Sequence, residues 1–146
     1  MCIRDRSNPA LRHLPLNALL GEADHVVCLA TATPETENLI DAAAFAAMKP
    51  GAFFVNVGRG SLVDEAALVA ALERGHLGGA ALDVVSVEPL PADHPLWDAP
   101  NVYLSPHAAT SPSALFANLH ELFLENLAAY LARAPLRNEV DPSRGY

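Results

Sequence analysis

Hydrophobic positions in this chain fall in short blocks separated by polar stretches rich in turn residues. His25-Val26-Val27-Cys28-Leu29-Ala30 is one such block, with a β-branched pair, and it follows a small helical stretch from Leu16 to Glu22. Ala43 to Met48 reads as a short helix stopped by Pro50-Gly51. Ala52-Phe53-Phe54-Val55-Asn56-Val57 is a second apolar run, closed by Gly58-Arg59-Gly60. The spacing predicts an amphipathic helix over Asp64 to Arg74, because Ala67, Leu68, Ala71 and Leu72 recur at helical intervals and Gly75 stands where a C-terminal cap belongs. Gly79 to Val84 is a third run and Val102 to Leu104 a fourth. A long helix then carries Leu115, Leu119, Leu122, Leu127 and Leu131 on one side and ends before Pro135.

Apolar runs that alternate with helices predict strands buried on both faces, and therefore a parallel sheet of βαβ units in an α/β fold. There is no internal repeat and no low-complexity segment, and the abundant alanine falls mostly in the helical stretches, where it is the best former.

Composition narrows the class. A chain of 146 residues points to one domain. At 51% hydrophobic and 18% charged it is too apolar to be disordered. Nine Lys plus Arg against 17 Asp plus Glu give a net charge of −8, which argues against a nucleic-acid or anionic-membrane surface. Asp41, Glu73, Asp83 and Glu121 interrupt the richest apolar stretches before any reaches the ~18 residues of a membrane helix. Cys2 and Cys28 form no CxxC or Cys/His cluster, so neither a disulfide scaffold nor a zinc site is expected, and a reducing cytoplasm is the default. Met1 to Ser7 crowds Arg4, Asp5 and Arg6 together without periodicity and is not a signal peptide. It is expected to be a scar or artefact outside the fold, with the main body over residues 8–132 and a tail over residues 133–146.

In an open parallel sheet, ligands bind beyond the carboxyl ends of the strands. That rule singles out Thr31-Ala32-Thr33-Pro34, Gly58-Arg59-Gly60, Asp83 and Ser105-Pro106-His107, with Glu88 in the loop after the third run. An Arg, an Asp, a Glu and a His on one sheet edge outline a catalytic constellation. Each also has a plain reading: Arg59 as a surface loop residue, Asp83 as a turn cap, Glu88 as a solvated charge, His107 as a turn filler. His13, His25, His76, His94 and His120 share no ligand spacing and are assigned to surface or packing. Ser61 and Ser105 lack a nucleophile-elbow context.

The segments ADHVVCLATATPETENLI (Ala23 to Ile40), MKPGAFFVNVGRGSLVDEAAL (Met48 to Leu68), GGAALDVVSVEPLPADHPLW (Gly78 to Trp97) and NVYLSPHAA (Asn101 to Ala109) carry a resemblance. In this order they resemble the D-isomer-specific 2-hydroxyacid dehydrogenases, and the likeness runs from about Leu14 to the closing EVDPSRGY. The resemblance implies the C-terminal half of a Rossmann-type nucleotide-binding domain, starting near its fourth strand, with a tail returning to a substrate domain. Family members are roughly twice as long and carry a GxGxxG turn and an acidic ribose ligand, neither of which is found in these residues. Thr31 departs from a position where the family often has proline.

The family transfers hydride between nicotinamide and C2 of a 2-hydroxy or 2-keto acid, with NAD or NADP as cofactor. The resemblance implies that Arg59 grips the substrate carboxylate and keto oxygen, that His107 is the acid/base, and that Glu88 pairs with it. It implies that Asp83 holds the nicotinamide carboxamide, and that Ala30, Val57, Gly58, Arg59 and the backbone of His107, Ala108, Ala109 and Thr110 line the cofactor. Glu88 argues against the formate-oxidising branch, which has glutamine there. The tail points to members acting on glyoxylate and hydroxypyruvate, and the full-length protein is expected to be a homodimer. The alternatives are a dinucleotide-sensing, non-catalytic corepressor-type relative and a truncated chain inert by itself.

Overall fold

The computed structural model describes residues 12–110 and 112–141, which fall into two compact units, 12–107 and 108–141. The stretch Met1 to Ser7 and the residues after Asp141 lie outside the described residues.

In the first unit the elements are α1 (Leu16–Glu22), β1 (His25–Cys28), α2 (Ala42–Ala47), β2 (Phe53–Asn56), α3 (Glu65–Glu73), β3 (Gly79–Leu82) and β4 (Val102–Leu104), with three 3-10 turns between them. The four strands are parallel and follow chain order β1-β2-β3-β4, with His25 opposite Phe53 and Phe53 opposite Gly79. Local chemistry starts the helices: the Asp41 carboxylate accepts from the Ala44 amide (2.8 Å) and the Asp64 carboxylate from the Ala67 amide (2.9 Å). Gly75 closes α3 at φ +67°, where a side chain would be strained.

Parallel strands in chain order, joined by crossovers of one hand, put their connecting helices on one face of the sheet. The helices α1, α2 and α3 accordingly pack side by side. Beneath them lies the core, in which Leu20, Phe45, Phe54, Leu62, Leu68 and Leu96 are almost fully buried and Phe45 meets Phe54 edge-on at 5.4 Å. The strands β1 and β2, expected to be buried on both faces, alternate instead: Val26 and Cys28 are buried while Val27 is 53% exposed. Tyr103 of β4, 69% exposed, joins Phe53 and His25 in a row of rings on the Val27 face.

The second unit is α4 (Pro112–Leu131) and the segment after it. The Asn126 side chain pairs with both backbone groups of Arg137, and Arg137 forms an ion pair with Glu125. Among the described residues, Leu119, Leu127 and Leu131 of the expected stripe are exposed while Leu122 is half-buried. The Leu115 side chain is outside those described. Among the described residues no helix is long and apolar enough to cross a membrane.

Candidate active site

The carboxyl ends of the four strands gather the polar residues. Strand β2 ends on Asn56, which is 1% exposed. Its amide nitrogen donates to the Arg59 carbonyl (3.0 Å) and its oxygen accepts from the Gly58 amide (3.1 Å), so one buried side chain shapes the Gly58-Arg59 turn. Arg59 itself is exposed, and its guanidinium donates to the Gly58 carbonyl at 2.7 Å. Leu29, Ala30, Thr31 and Ala32 face Val57, Gly58 and Arg59 across a cavity of about 360 Å³ between the ends of β1 and β2.

Strand β3 delivers Asp83, which is 7% exposed and accepts a short hydrogen bond from the Ser105 hydroxyl. The chain after it turns back, and its Val85 amide donates to Glu88 Oε1 (3.2 Å). The last strand leads to His107 at φ +54°, a left-handed backbone uncommon outside glycine. Its amide donates to the Asp83 carbonyl (2.9 Å) and the Ser105 carbonyl (3.0 Å), and ring Nδ1 meets Glu88 Oε2 at 2.9 Å. The Glu88 carboxyl is held below the ordinary carboxylate range, first by its hydrogen bond with His107 and then by the Val85 amide, with the Arg59 charge acting the same way. Asp83, Glu88 and His107 line one cavity of about 550 Å³ whose remaining wall is largely apolar, including Leu90, Leu104 and Trp97. Trp97 is half-exposed and donates its indole N–H to the Pro91 carbonyl at 2.8 Å.

Of the residues singled out from sequence, Glu88 and His107 thus touch directly, Asp83 joins them through its own carbonyl, and Arg59 acts on Glu88 through charge without a direct bond among those described. Ala30, Val57 and Gly58 line the neighbouring cavity. Ala108, Ala109 and Thr110 continue the chain into the second unit and are exposed.

Sequence reasoning missed the residues that hold these in place. Asn56 had a legible signal, a polar residue ending an apolar run. Ser105, singled out with Pro106 and His107 at a strand end but without a nucleophile elbow, turns out to donate to Asp83. Gly60 had a weaker signal: a Cβ there would stand 2.0 Å from the Val85 carbonyl carbon and 2.4 Å from the Ser86 nitrogen, so the chain after β3 rests directly on its backbone.

The strand ends fit the nicotinamide end of a dinucleotide. They offer a concave backbone wall beside a buried carboxylate, the chemistry that accepts from an amide NH₂.

A family model described as D-isomer specific 2-hydroxyacid dehydrogenase, NAD binding domain, matches residues 4–109. The chain is 42% identical over 131 residues to the glyoxylate/hydroxypyruvate reductase B of Escherichia fergusonii, covering 90% of this chain and 40% of that protein. It is similar to the crystal structure of a D-isomer specific 2-hydroxyacid dehydrogenase from Xanthobacter autotrophicus Py2 in complex with NADPH and MES, at 44% identity and a TM-score of 0.83 over 90% of this chain and 42% of that one. It is likewise similar to an NADPH-dependent glyoxylate/hydroxypyruvate reductase from Sinorhizobium meliloti in complex with NADP and sulfate, at 38% identity and a TM-score of 0.79, with 90% and 42% covered. The chain spans about two fifths of the length of the curated relatives it matches.

Proposed function

The chain belongs to the D-isomer specific 2-hydroxyacid dehydrogenase family, within its NAD binding domain, and from that premise we propose that its strand ends are the reacting part of an NAD(P)-dependent oxidoreductase acting on small 2-keto and 2-hydroxy acids. The observation that carries this reading is the 2.9 Å contact between His107 and Glu88 in the cavity that Asp83 also lines.

An ionised Glu88 accepts from His107 Nδ1, which fixes the ring and leaves Nε2 as the nitrogen that exchanges a proton with the substrate oxygen. In the reducing direction the protonated ring must deliver that proton to a forming alkoxide. Arg59 offers a planar fork of N–H groups that binds a carboxylate with two parallel bonds, and among the described residues its guanidinium donates to the neighbouring Gly58 carbonyl. Asp83, fixed on one oxygen by Ser105, would hold the nicotinamide carboxamide, and Ala30, Val57 and Gly58 would wall that ring. Bound nicotinamide supplies the hydride chemistry. The two similar crystal structures contain NADPH and NADP, two redox forms of one cofactor, while the matching family model is described as NAD binding, so NADH and NADPH both belong in the test. The backbone of Ala108, Ala109 and Thr110 is proposed to complete the cofactor's surroundings.

The test is keto-acid-dependent oxidation of NADH and NADPH, with glyoxylate and hydroxypyruvate as substrates, in the protein that carries this chain. His107→Ala should cost about 10²- to 10⁴-fold in kcat/KM while cofactor Kd stays within about threefold. Arg59→Lys keeps the charge but loses the fork, and should cost at least roughly tenfold, about 1.4 kcal/mol. Undiminished turnover in His107→Ala would overturn the reading. Cofactor binding without turnover in the parent would favour a non-catalytic, dinucleotide-sensing role.

A further inference from the structure

The loop that carries Glu88 is gripped from below. Helix α3 is already capped by Asp64, so its first residue, Glu65, is free of that duty. Its Oε1 accepts from the Ser86 amide at 2.6 Å, and its Oε2 lies 3.4 Å from His94 Nε2. His94 Nδ1 accepts from the Leu96 amide (3.3 Å), so in the neutral ring the proton sits on Nε2, facing Glu65. The Glu65 side chain is only 12% exposed and that of His94 24%. A carboxylate withdrawn from water to this extent is costly unless it is satisfied, and its partners here are two groups of the segment after β3.

That segment is held on alternate sides by two carboxylates. The Ser86 amide goes to Glu65, and the Val85 amide next to it goes to Glu88. The contact beneath, at Gly60, is a backbone approach with no bond of its own. We propose that Glu65, steadied by His94, is a positioning residue: its grip on the Ser86 amide sets the 84–88 loop so that Glu88 meets His107. The inference rests on the reading of Glu88 and His107 as the acid/base pair, and it ties Glu88 to the same stretch, residues 59–65, that carries Arg59.

The test follows the Glu88 carboxyl by carbon-detected NMR through an acid titration of the 146-residue chain. His107→Ala removes the largest influence on Glu88 and should raise its midpoint toward the ordinary carboxylate value. Glu65→Ala should raise it too, by at least about half as much, because loss of the grip loosens both the His107 contact and the Val85 amide. The sign is decisive. Removing a like charge without moving the loop would lower the Glu88 midpoint, not raise it. The other groups facing Glu65 are His94 and, along the same helix, Glu73. Glu65→Asp keeps the charge and a helix-compatible residue but loses reach, so it should also raise the midpoint, and it carries the test if Glu65→Ala does not fold. A Glu88 midpoint unchanged or lowered in the Glu65 variants, while His107→Ala raises it, would overturn the positioning role and leave the pair intact. A Glu88 midpoint indifferent to His107→Ala would overturn the pair itself.

Discussion

Gly60→Ala is the sharpest test of how this site is built. The glycine is not there for its backbone: among the described glycines only Gly51 and Gly75 have positive φ, so alanine can adopt the conformation at position 60. On conformational grounds alone the substitution should stabilise the chain by about 0.4–1 kcal/mol, through the unfolded state. Space reverses the sign. The new methyl would lie 2.0 Å from the Val85 carbonyl carbon and 2.1 Å from its oxygen, where unstrained contacts are ~3.5 Å or more. The Val85-Ser86 segment must therefore retreat by roughly 1.5 Å, which carries the Ser86 amide out of hydrogen-bond range of Glu65, now 2.6 Å away. Overpacking costs about 1–3 kcal/mol and the lost bond to a charged acceptor about 1.5–3 kcal/mol, terms that overlap because one movement relieves both. A net loss of about 2–3 kcal/mol is expected, read as the shift of the urea midpoint by circular dichroism at unchanged m-value. Gly51→Ala is the matched control: at φ +81° with open space around it, it should cost about 1–2 kcal/mol through backbone strain alone. A Gly60→Ala chain as stable as its parent would mean that the segment after β3 does not rest on that glycine.

Other outcomes follow from the same geometry. Asn56→Ala leaves the Gly58 amide and Arg59 carbonyl without their buried partner, and should cost about 2–4 kcal/mol in the same unfolding assay. Asp83→Ala, in the protein that carries this chain, should weaken NADPH or NADH binding by roughly tenfold, about 1.4 kcal/mol; a fall in melting temperature with unchanged cofactor Kd would reduce Asp83 to a turn cap. Because the folded Glu88 carboxyl titrates below its ordinary value of 4.5, the stability it contributes is fully present above that value and fades as pH falls through its folded midpoint. Parent and Glu88→Gln should therefore differ in urea midpoint at neutral pH and converge only as pH falls through the folded Glu88 midpoint, below 4.5; curves that stay parallel into acid would contradict the pairing.

What was legible in the sequence divides by range. The run before Cys28, the helix opened by Asp64 and the closing Gly75 depend on neighbours within a few positions, so local pattern suffices for them. Val26 and Val27 are equally apolar, yet only one faces the helices, because that choice depends on where the crossovers lie. Arg59, Asp83, Glu88 and His107 could be singled out because each stands at or just past a strand end and within a recognisable segment. The clamps that order them could not. Glu65 opens helix α3 while Ser86 lies in the loop after β3, and nothing around either anticipates their meeting. The positive φ of His107 is likewise set by distant partners, the Asp83 carbonyl and the Glu88 carboxylate, which no local pattern reveals.

Trp97 gives the cavity an optical property. It is the only tryptophan of the chain, its indole N–H is anchored on Pro91, and its ring faces the space that Glu88 and His107 share. The indole emission of these 146 residues therefore comes from Trp97 alone, whose surroundings include whatever fills that space. A bound acid or nicotinamide that displaces water from the cavity alters one fluorophore at one place, so occupancy can be followed in solution without a label.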